Sequence, residues 1–387
     1  MPLLLALSLC AFAAALTIRF ADPLVADMAR SFHTSPEHMA LVASAFALPY
    51  ALAQLLLGPL SDAVGKGRIM VVCLAMLAVA LAISALAPTP NALFLARILA
   101  GAAAGGTVPV ALAIVGDSVP VGERQVALSR LLLGMLTGHL SGTLCAGIVG
   151  DAYGWRVVMW IGSGMIAGAT LIAFLYVLPN VGRALHPFTF ASAREGFAKV
   201  FKNPRAIICY SAVLAGGTCL FGILPHIAGM LEARGAGSTQ EAGIIAASAG
   251  LGGILYTLTV RRILMRLGGQ MNMIRIGGLT AGLGFALAAL QQPWWIEALS
   301  FVVLGLGFYM VHNSLQTQAT ELAPDARGAA VSLHAFSFFL GQALGPPLFG
   351  LGIKSVGPSS TLIIAGMTLA AVGLALAAAL TRLNRRA

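Results

Sequence analysis

Very few side chains in this sequence can carry charge or protons inside its apolar runs, and those few are informative. Arg19 and Asp22 stand at i and i+3 near the end of the first apolar run, so a helix places them on one face. Arg97 lies in a second apolar run, and His139 near the middle of a third. A group that binds and releases H⁺ needs this kind of setting. Histidine exchanges a proton near neutral pH, while a nearby cation and burial pull the protonation of Asp22 in opposite senses. With a helix starting near residue 3, Arg19 sits about 24 Å along it at 1.5 Å per residue, and Arg97, entering from the opposite surface, reaches a comparable depth. A cluster of Arg19, Asp22 and Arg97 is therefore geometrically feasible. Two plainer readings stay open. Asp22-Pro23 ends a helix at the headgroups, and Arg97, roughly 7 Å into its helix, snorkels to the interface. His139 falls about 20 Å into its helix, where its plainer role is a hydrogen bond that holds packed helices together.

A second set of polar residues suits contact with a solute in an otherwise apolar cavity. His312 and Gln316 share a helical face at i and i+4 with Asn313 beside them, and Tyr50 lies one turn before Gln54. His226 and His334 fall near helix ends and read as interfacial. Glu297, close to Trp294 and Trp295, reads as part of an interfacial belt. The five cysteines, Cys10, Cys73, Cys145, Cys209 and Cys219, show no metal-ligand spacing and read as small buried apolar residues.

The elements that must position these residues follow from composition. Of 387 residues 59% are apolar and only 9% charged, with a mean hydropathy of +0.91. So little charge cannot cover a water-facing surface, and neither disorder nor a disulfide scaffold fits. Apolar runs between turn and charge signals predict twelve transmembrane helices. They cover 3–25, 38–60, 69–87, 92–115, 126–149 and 157–178, then 206–230, 241–260, 272–290, 294–318, 328–352 and 359–380. No Lys or Arg precedes the first run, which reads as a retained helix rather than a signal peptide. The fold class is an all-α integral membrane protein.

With both termini placed in the cytoplasm, 17 of the 23 Lys and Arg fall in inner loops and the tail, and four in outer loops. This positive-inside asymmetry predicts an inner-membrane protein with both termini cytoplasmic. It also explains the net charge of +10 through contact with anionic lipid, so nucleic acid is not a partner. An internal echo supports two pseudo-symmetric six-helix halves. Arg124 precedes Gly138, Gly142 and Gly147 by 14, 18 and 23 positions, and Arg327 precedes Gly341, Gly345 and Gly350 by the same spacings. A weaker echo aligns Gly58 and Lys66 with Gly253 and Arg261. The predicted organisation is a half at 1–178, a basic cytoplasmic linker at 179–205, and a half at 206–387 with a short tail. Repeats of this kind surround a midplane site and rock against each other, which predicts secondary transport. No glycine loop, metal cluster or nucleophile–base set suggests an enzyme or a cofactor.

Between the second and third helices the chain reads Gly58-Pro59-Leu60-Ser61-Asp62-Ala63-Val64-Gly65-Lys66-Gly67-Arg68. This resembles the loop signature of the major facilitator superfamily, G-x-L-x-D-x-x-G-[RK]-x-[RK]. Gly65 permits the tight turn, and Asp62 can pair with Lys66 or Arg68 as a latch. The resemblance ties that latch to the outward-open state. Leu93-Phe94-Leu95-Ala96-Arg97-Ile98-Leu99-Ala100-Gly101 resembles the family's fourth-helix motif, which links Arg97 to proton transfer. On the fifth helix, Gly134-Met135-Leu136-Thr137-Gly138-His139-Leu140-Ser141-Gly142-Thr143 resembles the antiporter motif G-x-x-x-G-P-x-x-G-G. His139 stands in the proline position and Thr143 in that of the last glycine. Gly154-Trp155-Arg156 fits the same pattern, and Gly345-Pro346 is a partial echo in the second half. The stretch from His312 through Arg327 to Gly341-Gln342 is similar to the twelve-helix drug:proton antiporters and metabolite exporters. The resemblance implies a monomer that exchanges a small organic solute for protons within membrane lipid. Its rivals are a proton-coupled importer or sugar-efflux relative, and a lipid translocator.

Overall fold

The computed structural model describes residues 3–181 and 190–384, with the side chains of 58, 59, 62, 121–126, 129, 132, 190–193 and 384 outside that description. Twelve helices among the described residues are long and apolar enough to cross a membrane. We number them α1 (Leu3–Ser31), α2 (Leu41–Val64), α3 (Lys66–Leu86), α4 (Pro90–Ser118), α5 (Val121–Tyr153) and α6 (Trp155–Asn180). The second six are α7 (Arg205–Ala233), α8 (Thr239–Arg266), α9 (Gln270–Ala288), α10 (Trp294–Glu321), α11 (Arg327–Val356) and α12 (Pro358–Asn384). Most run a few residues beyond the apolar runs. The reason is that polar end turns such as Arg261–Arg266 keep helical hydrogen bonds although they leave the hydrocarbon. No strand occurs among the described residues.

The chain divides into two compact units, Met1–Phe190 and Ala191–Ala387. In the first, α1 packs on α5, α2 on α4 and α3 on α6. In the second, α7 packs on α11, α8 on α10 and α9 on α12. The pairing is the same six helices later. A short amphipathic helix, Phe190–Phe201, opens the second unit. Along it Glu195 accepts a hydrogen bond from Lys199, which holds the Glu195 carboxyl below its usual range and Lys199 above its own.

Small residues set the repeated pairing, because without a Cβ two backbones can approach closely. Gly134, Gly138 and Gly142 of α5 face the backbone carbonyls of Ser8, Phe12 and Leu16 on α1. Gly341 and Gly345 of α11 face those of Leu214 and Thr218 on α7, where a Cβ on Gly345 would stand 2.6 Å from the Thr218 oxygen. Gly101 meets the Phe46 carbonyl across α4 and α2, and Gly305 meets that of Ala249 across α10 and α8. The turns repeat too. Gly154 ends α5 at φ 81° and Gly357 ends α11 at φ 83°, a backbone region that side chains rarely adopt.

Candidate functional site

In the first half, α1 does not stop at Asp22. Its α-helical hydrogen bonding gives way to one 3-10 turn, Asp22–Leu24, and resumes over Val25–Ser31. Pro23 sits inside that turn, where its missing N–H costs least. In place of the helix end that Asp22-Pro23 could mark, the chain has an internal break that buries the carboxyl, which is 2% exposed. Arg19 Nη1 donates to Asp22 Oδ2 at 3.4 Å. Arg97 lies within electrostatic reach of both. It does not snorkel: at 1% exposure its guanidinium lies 4.4 Å from the Phe46 ring centroid and 5.9 Å from that of Phe20. Tyr50 of α2 and His139 of α5 both feel the charge of Arg19. Arg97 Nε and Nη1 and His139 Nε2 meet no hydrogen-bond partner among the described residues.

The second half fills the matching space with rings. His312 stacks on Phe308 at 5.2 Å and approaches Phe338 at 4.5 Å, while Phe221 packs edge-on against Phe338 at 5.4 Å. His334 lies 5.2 Å from His312. It is buried rather than interfacial, and both its ring nitrogens are without partners among the described residues. A cavity of about 20 Å³, the size of one water, lies beside Gly216, Gly278, Phe308 and His312. Asn313 is exposed and accepts from the Tyr256 hydroxyl at 3.2 Å; Gln316 is exposed as well. Gln54 is placed in helix packing: its amide donates to the Gly105 carbonyl at 2.8 Å, at the step between the two segments of α4.

Three further expectations need correction. His226 is buried on α7, its ring bonded to the Pro346 carbonyl at 2.9 Å. Glu297 is not part of an exposed belt, because Arg234 donates to it at 2.5 Å and both are largely shielded. Cys145, unlike the other four cysteines, is exposed.

At the loop between α2 and α3, Gly65 takes φ 108° and turns the chain. Lys66 pairs with Asp117 at the end of α4 at 2.5 Å, and Arg68 is exposed. Gly58 and Asp62 lie in the last turns of α2, and their side-chain surroundings are outside the description. A family model for the Major Facilitator Superfamily matches residues 7–346 and 238–387. The chain belongs to the major facilitator superfamily. It is therefore a membrane transporter and not an enzyme. An MFS-type transporter of Bacillus subtilis, YceJ, is 25% identical over 361 residues, with 90% of each chain covered. The multidrug resistance protein MdtG of Proteus mirabilis is 25% identical over 298 residues, covering 75% of this chain and 72% of that one. The crystal structure of the nucleoside transporter NupG (D323A mutant) shares the fold, with a TM-score of 0.77 at 18% identity over 97% of this chain and 99% of that one.

Some polar pairs of this superfamily member had no local signal. Lys66 and Asp117 are 51 positions apart, and Arg234 and Glu297 are 63 apart. Trp155 donates its backbone N–H to Asp27 at 2.9 Å across 128 positions. The tryptophans near Glu297 point toward an interface, which hides its partner. The Arg19–Asp22 spacing, like that of Glu195 and Lys199, does announce a pair within one helix.

Proposed function

We propose that the protein is a secondary active transporter that exports a small organic solute in exchange for protons by alternating access. The observation that carries this reading is the buried charged group on α1 and α4, Arg19, Asp22 and Arg97, with His139 of α5 beside it. Ionisable side chains in membrane spans are costly and mark ion or substrate paths. Asp22 is the proposed proton carrier, with Arg19, Arg97 and His139 setting its surroundings. Tyr50, Gln54, His312, Asn313 and Gln316 are the proposed solute contacts. The loop of Gly58, Asp62, Gly65, Lys66 and Arg68 acts as the conformational latch, and the Lys66–Asp117 pair supports an ionic role for it. The protein works as a monomer in the inner membrane with both termini cytoplasmic, following the 17-to-four split of basic residues.

The test uses purified protein in liposomes loaded with a pH-sensitive dye, under an imposed proton gradient. Cationic, neutral and anionic organic compounds are added in turn, and compound-dependent proton flux supports coupling. Asp22→Asn should abolish uphill transport and leave solute exchange between compartments of equal pH. Unchanged uphill transport in that variant removes Asp22 from the mechanism. Silence across the panel favours a lipid translocator, which a lipid-scrambling assay then checks. One observation favours import as a second reading: two arginines face one carboxylate, so neutralising Asp22 leaves an excess of positive charge that attracts an anion together with the proton. The direction of solute flow decides between them.

A further inference from the structure

The charged group of the first half is unbalanced. Arg19 and Arg97 supply two fixed positive charges, and Asp22 is the carboxylate within electrostatic reach of both. All three are buried, at 7%, 1% and 2% exposure. A buried charge without a counter-ion is strongly unfavourable. The aromatic neighbours of Arg97 compensate only in part. A ring at 4.4 Å, that of Phe46, engages a guanidinium through its π-face, which is a cation–π contact. It cannot accept the hydrogen bonds of donors lying in the guanidinium plane. Two of those donor atoms, Nε and Nη1, are unsatisfied among the described residues. They lie on different edges of the planar guanidinium, so each is free to donate a charge-assisted hydrogen bond to an anion oxygen. The imidazole of His139, within the field of Arg19, adds a further unsatisfied nitrogen from α5.

We propose that Arg97, with Arg19 and His139 beside it, forms an anion subsite in the first half, and that the transported solute is an organic acid bound through its carboxylate. The subsite rests on the reading of the chain as a solute transporter, but not on the direction of transport or on proton coupling. Asp22 holds Arg19 and leaves the Nε and Nη1 donors of Arg97 for the solute. The placement also assigns Asp22 an opposing role, since its negative charge competes with the bound anion. Removing that charge strengthens the subsite, whereas removing Arg97 abolishes it.

The test is equilibrium binding without any gradient, read as thermal stabilisation of the full-length protein in a neutral maltoside detergent. The probes are benzoate, benzamide and benzylamine, which share a ring and differ in charge, each up to about 50 mM, since a ligand that binds only the folded state raises its melting temperature. Benzoate should stabilise the native chain, and the other two should not. Arg97→Gln should weaken benzoate at least about tenfold, and Arg97→Lys, which keeps the charge but loses the fork, by less. Asp22→Asn should bind benzoate several-fold tighter, a gain that a merely structural role for the cluster would not produce. If Arg97→Gln fails to fold, Arg97→Lys and Asp22→Asn still decide. Stronger stabilisation by benzylamine, benzoate binding that is unchanged in Arg97→Gln, or no benzoate response in either the native chain or Asp22→Asn overturns the subsite. A positive binding result with no proton flux in liposomes would instead sink coupled transport and leave the subsite standing.

Discussion

The two halves share a skeleton and differ in what fills it. Glycines on α5 and α11 meet carbonyls on α1 and α7 at matching heights, so Leu16 corresponds to Thr218 and Gly142 to Gly345. Following that register along α1 and α7, Arg19 corresponds to Phe221, and the 3-10 turn Asp22–Leu24 to the 3-10 turn Leu224–His226, with a proline second in each. Through Gly101 and Gly305, Arg97 corresponds to Phe301. Through Gly138 and Gly341, His139 corresponds to Gln342. Positions that carry charge in the first half are thus apolar in the second. The backbone pairing is what the repeat preserves. The three-charge cluster at these positions belongs to the first half, whereas the largely shielded ion pair of the second half, Arg234–Glu297, stands at other positions.

The largest effect comes from forcing the first half toward the second at one position. Asp22→Leu copies the counterpart Leu224 yet leaves Arg19 and Arg97 buried without their carboxylate. It should destabilise by about 3–5 kcal/mol, the usual cost of removing one partner of a buried ionic group. Glu297→Leu in the second half should cost less, about 1–3 kcal/mol, because the side chain of its partner Arg234 keeps 19% exposure and can turn toward water. The sharper version changes all three residues to their counterparts: Arg19→Phe, Asp22→Leu and Arg97→Phe. Replacing a whole buried ionic group by packed apolar residues is often neutral or stabilising. The triple variant should therefore regain most of the stability lost by Asp22→Leu while transporting nothing. Denaturant titration of the three proteins measures this, and a triple variant as unstable as the single one would refute the correspondence of the two cores.

Intermediate effects test the shared skeleton itself. Gly142→Ala and Gly345→Ala each aim a methyl group at a facing carbonyl. Each should cost about 1–3 kcal/mol from overpacking, with similar size in both halves. Gly168→Ala meets nothing within 4 Å. It should be neutral or stabilise by about 0.5–1 kcal/mol, the ordinary helix preference for alanine. A large loss at Gly142 beside none at Gly345 would mean that the repeat is one of sequence spacing and not of packing.

How much of this was legible beforehand divides along the same line. Twelve apolar runs, the 14, 18 and 23 spacings and the loop at Gly65 carry the skeleton, because periodic apolar residues and glycines act locally. Helix ends were set too short where charged turns such as Arg261–Arg266 stay helical. Arg19 and Asp22 were legible as a pair since three residues along a helix make neighbours. That Arg97 joins them depends on the packing of α1 against α4, a tertiary fact. His334 shows the opposite failure. Its position near a helix end suggests an interface, yet packing of α11 brings it onto His312.

The smallest effect sharpens the comparison from the aromatic side. His334 is 5% exposed and carries two unsatisfied nitrogens beside a cluster of rings. A buried polar atom without a partner gains nothing from its polarity, so exchanging it for an apolar ring of similar shape removes a cost. Against this, the larger phenyl ring must fit beside His312 and Phe338, which opposes the gain by overpacking. His334→Phe should therefore change stability by no more than about 1 kcal/mol in either direction. Its counterweight is His139→Phe, which places a ring among Arg19 and its charged neighbours and should cost more. Thermal unfolding of both variants compares them directly. If His334→Phe were the more damaging of the two, the second half would hold a polar function of its own, and the contrast between the charged cluster of Arg19, Asp22 and Arg97 and the ring cluster around His312 would fail.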